Sequence, residues 1–229
     1  MISVTAGSEA DSAPRTMTRK EHWNQVYQTK VPDDVSWYQA RPAVSLKLIG
    51  ASGVSKVQGI IDVGGGASVL VDFLLDAGFQ RLAVLDLSAA ALEQARRRLN
   101  ARAGDVEWFE ADITTFKPPR RFGLWHDRAV FHFLTETSDR QNYVRTLRHT
   151  LVPDGHVIIA TFAIDGPFQC SGLRVMRYDA ASIRVELGAG FDLVEQSDET
   201  HVTPWNTEQR FSYFRFALTP MGLPCKSSL

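Results

Sequence analysis

Cysteine is scarce: the chain of 229 residues has two, Cys170 and Cys225. Two cysteines form no disulfide framework and no zinc-ligand spacing, so no metal is expected, and they suit a reducing cytoplasm. No run of about 18 apolar residues occurs, which excludes a membrane-spanning helix. An excess of charge is also missing. Lys and Arg total 25 against 26 Asp and Glu, for a net charge of −1. No general attraction to nucleic acid or anionic membrane is encoded. Two local basic clusters, Arg96–Arg97–Arg98 and Lys117 with Arg120 and Arg121, read as solvated surface. The opening MISVTAGSEADSAPRT has no apolar core, so no secretory leader is expected there. Residues 1–16 are expected to be a disordered extension and 221–229 a flexible tail.

What is present has the profile of a globular domain. Hydrophobic residues make up 44% and charged residues 22%, enough to bury a core without staples. One domain is expected over residues 17–220. Thr18 and Glu21 form a capping box that starts a helix, and Ala43–Ala51 reads as a second. From Gln58 the pattern alternates. GIIDVG, RLAVLDL, VEWFEAD, the start of FGLWHDRAVF and GHVIIATFA are strand candidates. SVLVDFLLDAG, SAAALEQARRRLN (capped by Ser88), SDRQNYVRTLRHTL (capped by Ser138 or Asp139) and DAASIRVELG (capped by Asp179, closed by Gly188) are helices. FDLVEQSDE and QRFSYFRFAL have no helix between them and read as an antiparallel pair. The expected architecture is α/β, a doubly wound seven-stranded sheet, mostly parallel, with a C-terminal antiparallel hairpin. Ligands of such sheets lie at the carboxyl ends of the strands.

The first such end reads IIDVGGGASVLVD. Gly64, Gly65 and Gly66 make the turn after the strand, where φ is positive or a ligand comes close. A phosphate-binding P-loop needs a lysine followed by Ser or Thr, and residues 64–72 contain no lysine. A dinucleotide fingerprint needs a third glycine where Val69 stands. Asp62, Gly64, Gly66 and Ser68 instead match D-x-G-x-G-x-[GS].

That loop resembles the signature loop of class I S-adenosylmethionine-dependent methyltransferases, with their Rossmann-like fold. The resemblance implies that S-adenosyl-L-methionine is bound and S-adenosyl-L-homocysteine released. It places Gly64, Gly65, Gly66 and Ser68 along the methionine moiety, with Asp62 on its ammonium. Asp86, 20 residues after Gly66, and neighbouring Leu87 fall at the ribose position, where a carboxylate accepts from two hydroxyls. A dinucleotide site would use the same acid. Asp112 and Ile113 fall at the adenine position. The fourth strand end, LWHDRAVFHFL, faces the transferred methyl group in that family. His126, Asp127 and His132 are the candidate bases there, His126 also touching the cofactor, and Arg128 and His132 candidate acceptor contacts. Phe131, Phe133 and Leu134 read as core. LVPDGHVII resembles the family's turn before the fifth strand, with Asp154 in place of a glycine. The resemblance covers roughly residues 59–161.

Family members fold their N-terminal segment over the cofactor, so residues 17–57 are expected to be a helical lid. Trp37 would face the sulfonium and Tyr38 the acceptor; Trp23 and Tyr27 read more as staples of the first helix. After the fifth strand, Arg174, Arg177 and Tyr178 are candidates for an anionic acceptor. Methyl transfer is an in-line displacement, and a base is needed only if the acceptor must lose a proton. A small-molecule acceptor is expected. A protein lysine, a cofactor-binding protein without turnover and, more remotely, a dehydrogenase stay open, and neither the oligomeric state nor the acceptor follows from the residues.

Overall fold

A computed structural model describes residues 17–31 and 33–219. The expectations for 1–16 and 221–229 lie outside the described residues. The elements run α1 (Arg19–Thr29), α2 (Ala43–Ala51), β1 (Ile60–Val63), α3 (Leu70–Asp76), β2 (Leu82–Asp86), α4 (Ala89–Leu99), β3 (Val106–Glu110), β4 (Phe122–Arg128), α5 (Thr137–Thr150), β5 (Leu151–Phe162), β6 (Gln169–Cys170), β7 (Leu173–Arg174), α6 (Ala180–Leu187), β8 (Phe191–Val202) and β9 (Glu208–Leu218).

The main sheet has seven strands in the order β3-β2-β1-β4-β5-β9-β8. β3, β2, β1, β4 and β5 are parallel; β9 runs antiparallel to both β5 and β8. The expected doubly wound sheet with its terminal hairpin is therefore present. The β6–β7 pair is a separate small sheet that the sequence pattern did not signal.

The central strands are apolar on both sides because both faces are covered. Leu48 and Ile49 of α2, Leu70, Val71 and Leu74 of α3 and Leu92 and Leu99 of α4 pack on Ile60, Val84, Leu124 and Ile158. Tyr143 and Leu147 of α5 and Ile183 and Leu187 of α6 cover Ile61, Leu85, Trp125 and Ile159 on the other face. Successive residues of each strand thus serve opposite cores.

Local signals mostly hold. Thr18 and Glu21 close the capping box of α1, Ser88 accepts from the Ala91 amide, and Gly188 ends α6 at a φ of 71°. α5 departs: it starts at Thr137 with Glu136 as its cap, two or three residues before the expected Ser138 or Asp139. The Asp154 turn lies inside β5 as an irregularity in its register with β4, and Asp154 takes a φ of 60°.

The sheet orders β1 and β4 as neighbours, although β2 and β3 come between them in the chain. The order of strands reverses there, and the crevice for a ligand opens at their carboxyl ends. Leu147, a fully buried residue of α5, tests this packing. Leu147→Ala should cost roughly 2–5 kcal/mol in urea unfolding; a loss below about 1 kcal/mol would show that α5 is not seated on the sheet.

Candidate active site

Asp62 and His126 are register partners on β1 and β4, so their side chains leave the same face side by side. His126 Nδ1 lies 2.7 Å from Asp62 Oδ1, and its Nε2 lies 2.9 Å from the Ser45 hydroxyl of α2. All three are buried. The chain Asp62–His126–Ser45 ties the start of the glycine loop to the next strand and to a helix.

Each glycine of the loop makes room. Gly64 has a φ of 68°, and a β-carbon there would overlap Val130. One on Gly65 would overlap the Asp62 carboxylate, and one on Gly66 the Asp86 carboxylate and Ala91. The loop is bare because two carboxylates and a turn occupy the space of its side chains. Arg98, read as surface, clamps the far end. It reaches the carbonyls of Ala67 and Ser68 at 2.9 and 2.6 Å and pairs with Asp72 at 2.8 Å.

Two chambers flank the loop. The larger holds about 840 Å3 of empty space, its mouth included, and the smaller about 600 Å3. Tyr27, Trp37, Gly64 and Arg128 border both. Asp86, Leu87, Asp112 and Ile113 line the larger chamber. Asp62, Gly65, Ser68, Tyr38 and His126 line the smaller. Gly66 sits behind the wall, against Asp86 and Ala91.

Asp86 ends β2, and its Oδ1 accepts from the Ser88 amide at 2.8 Å. Burial pushes its carboxyl up to about 7, reinforced by the charge of Asp62 and opposed by the amides of Ser88, Gly66 and Leu87. Asp112 holds the turn after β3 by accepting from the Thr114 amide and hydroxyl at 2.8 and 2.7 Å.

Other candidates sit elsewhere. Asp127 follows His126, so it points to the opposite face and is fully buried. It accepts from the amides of Val130 at 2.9 Å and Phe131 at 3.1 Å and from the Tyr143 hydroxyl at 2.6 Å. Tyr143 in turn accepts from Trp125 Nε1 at 2.8 Å. This bracket holds the turn in which Ala129 adopts a φ of 71°. Burial pushes the Asp127 carboxyl up to about 6 against those hydrogen bonds. His132 is fully buried among Phe133 and Phe162; burial and then the nearby Arg128 cation hold it down at about 3. Neither lines either chamber, and His126 has both nitrogens engaged. The three expected bases are thus not brought together as bases.

Tyr178 is 2% exposed and packs on Phe131, on the far side of the sheet. Arg177 donates to the Gly166 carbonyl at 3.2 Å and stacks on Phe168. Neither lines a chamber, so both depart from their expected acceptor role. Phe133 and Leu134, expected in the core, do line the larger chamber, with Arg19, Trp23, Tyr27, Cys170 and Phe211. Burial pushes the Cys170 thiol up to about 11.

The N-terminal layer is fastened over this site. Asn24 accepts from the Ser88 hydroxyl at 2.8 Å, and Gln94 donates to the Tyr27 carbonyl at 2.7 Å. Trp37 Nε1 donates to the Tyr27 hydroxyl at 3.2 Å, and the Trp23 and Trp37 rings meet edge-on at 5.6 Å.

A family model described as a methyltransferase domain matches residues 60–155. Nodulation protein S of Rhizobium tropici is 29% identical over 82 residues, which span 36% of this chain and 34% of that protein. The chain thus matches about a third of that relative's length. Three solved structures share the fold. One, from work on the conversion of a disulfide bond into a thioacetal group during echinomycin biosynthesis, has a TM-score of 0.72 at 17% identity and covers 90% of this chain and 95% of its own. The N-methyltransferase NodS of Bradyrhizobium japonicum, in complex with S-adenosylhomocysteine, has 0.67 at 18%, over 86% and 98%. The glycopeptide N-methyltransferase MtfA, with the same ligand, has 0.64 at 16%, over 90% and 99%.

The Asp127 bracket can be checked apart from any ligand. Tyr143→Phe leaves a buried carboxylate short of one donor and should cost about 1–3 kcal/mol in urea unfolding. An unchanged midpoint would show that the hydroxyl does not hold the turn.

Proposed function

We propose that the protein is an S-adenosyl-L-methionine-dependent methyltransferase acting on a small-molecule acceptor. The observation that carries this reading is the set of carboxylates, Asp62, Asp86 and Asp112, at or just beyond successive strand ends around a loop with no phosphate cradle. The donor set fits the group. Asp86 is a buried acceptor suited to an unphosphorylated ribose diol. Asp62 lines the smaller chamber, where it would hold an ammonium. Asp112 and Ile113 line the larger, where they would hold a purine by its amine and its face. When bound, the cofactor supplies a methyl group made electrophilic by its sulfonium.

The chain's own residues do the rest. The apolar walls, Trp23, Trp37 and Phe133 among them, exclude water from the reacting atoms. Trp37 borders both chambers and presents a ring near the junction, where a sulfonium is attracted. Alignment of acceptor and methyl group is the main catalytic contribution asked of such a site. A small acceptor is supported by the enclosure: α1 and the segment carrying Trp37 roof the chambers.

Calorimetry with S-adenosylhomocysteine should show binding; no heat and no thermal shift would sink the reading. The pH dependence is specific. Asp86 accepts from a diol as the carboxylate, and its raised value means that it is protonated below about 7. Between pH 8 and pH 6 the affinity for S-adenosylhomocysteine should therefore fall about tenfold, and Asp86→Asn should flatten the profile at weak affinity. A flat profile in the unsubstituted protein would remove Asp86 from the ribose role.

A further inference from the structure

α1 opens with two cations, Arg19 and Lys20, directly after its Thr18 cap. The helix dipole favours acids at that end and disfavours bases. Both cations face carboxylates outside the helix. Lys20 pairs with Glu110, the last residue of β3. Arg19 Nη2 lies 3.0 Å from Asp139 Oδ2 on α5 and 3.7 Å from Asp112 Oδ2. The Arg19, Asp112 and Asp139 side chains are 39%, 33% and 26% exposed. Ion pairs this open to water contribute little to stability, and the dipole works against them. Stability alone is a poor reason for a cation at this position.

Arg19 also borders the larger chamber, together with Asp86, Leu87, Asp112 and Ile113. The two Asp112 oxygens are divided. Oδ1 accepts from the Thr114 amide and hydroxyl at 2.8 and 2.7 Å. Oδ2 takes no hydrogen bond among the described residues and stands on the Arg19 side. The mouth of the chamber thus carries an acceptor and a donor 3.7 Å apart, Asp112 Oδ2 and Arg19 Nη2. Asp139 steadies the guanidinium from α5 without exhausting it, because arginine has several N–H donors. Adenine shows the complementary pattern: its exocyclic amine donates, and a ring nitrogen beside it accepts. An amide side chain reads that pattern with one acceptor and one donor. Here a carboxylate and a guanidinium from two elements of the fold offer the same pair.

We propose that Arg19 is a specificity residue for the cofactor, donating to an adenine ring nitrogen next to the amine that Asp112 accepts from. This inference rests on the cofactor reading above and adds a residue to it. Arg19 belongs to α1, so the purine joins the roof to the turn after β3. The couple accepts adenine and rejects a 6-oxo purine, whose oxygen would face the Asp112 carboxylate.

The test is calorimetry on the full chain with S-adenosylhomocysteine and its 1-deaza and 7-deaza analogues, each lacking one of the two ring nitrogens beside the amine. One of the analogues should bind about tenfold more weakly than S-adenosylhomocysteine. In Arg19→Met, S-adenosylhomocysteine itself should weaken about tenfold, and that same analogue should fall within about twofold of it. Arg19→Lys should keep part of the discrimination. A residue that only held α1 down would weaken all three ligands by one factor and leave their ratios alone, and that result overturns the proposal. So does an unchanged affinity in Arg19→Met, or equal binding of the three ligands by the unsubstituted protein. Should the methionine variant not fold, the ratios in Arg19→Lys decide. No binding of S-adenosylhomocysteine to the unsubstituted protein overturns the cofactor reading instead, which keeps the two failures apart.

Discussion

The site depends on one buried contact, the 2.7 Å link between Asp62 on β1 and His126 on β4. Parallel pairing in that register places two polar side chains on the same face of the sheet, both under 5% exposed. Taking a carboxylate out of water is costly unless donors surround it. His126 supplies one donor and, through Ser45, hands the chain on to α2. With that link in place the glycine loop leaves β1 at a set angle, because the Asp62 carboxylate fills the space beside Gly65.

β4 divides its work by alternation. His126 and Arg128 face the chambers, while Asp127 between them turns to the opposite core and holds the following turn. That turn carries Ala129 at a positive φ and brings Val130 against Gly64. Asp62 and Asp127 thus grip the two sides of the same crevice from opposite faces of the sheet. Such strained backbone persists only where its surroundings over-determine it, and the Asp127 bracket does so. The carboxylates gathered here leave Asp86 buried beside the charge of Asp62, and its raised value is the cost of that arrangement. A ligand with a cationic end and a donor-rich diol relieves both.

The upper wall is a separate construction. α1 is held by Asn24, Gln94 and the tryptophan pair, and the segment after it by Arg128 at the Trp37 carbonyl. Arg128 therefore supports the roof, and its Nη2 stands 3.8 Å from Glu199 Oε2 on β8. Conversely, the segment after β5 turns outward at Arg177, which packs on its own loop.

The sheet, its order of helices and the glycine loop were legible in the sequence because they rest on local rules: apolar runs of strand length, capping residues and glycines at a turn. Asp62, Asp86 and Asp112 were legible as residues at or just past strand ends. The raised value of Asp86 was not, because it follows from burial by segments far away in the chain. The titratable groups crowded into LWHDRAVFHFL part company in the fold: His126 and Arg128 line the chambers, while Asp127 and His132 are buried away from them. Alternation along the strand, a period of two, already separates Asp127 from His126 and Arg128. Which face opens on a cavity is decided only when α2, α5 and the N-terminal layer dock. The sequence by itself determined the frame and the loop, through short-range sterics and periodicity. Tertiary structure alone decided which histidine is tied, which arginine braces the N-terminal layer and which rings line the chamber, because hydrogen bonds and burial join residues as distant as Ser36 and His201.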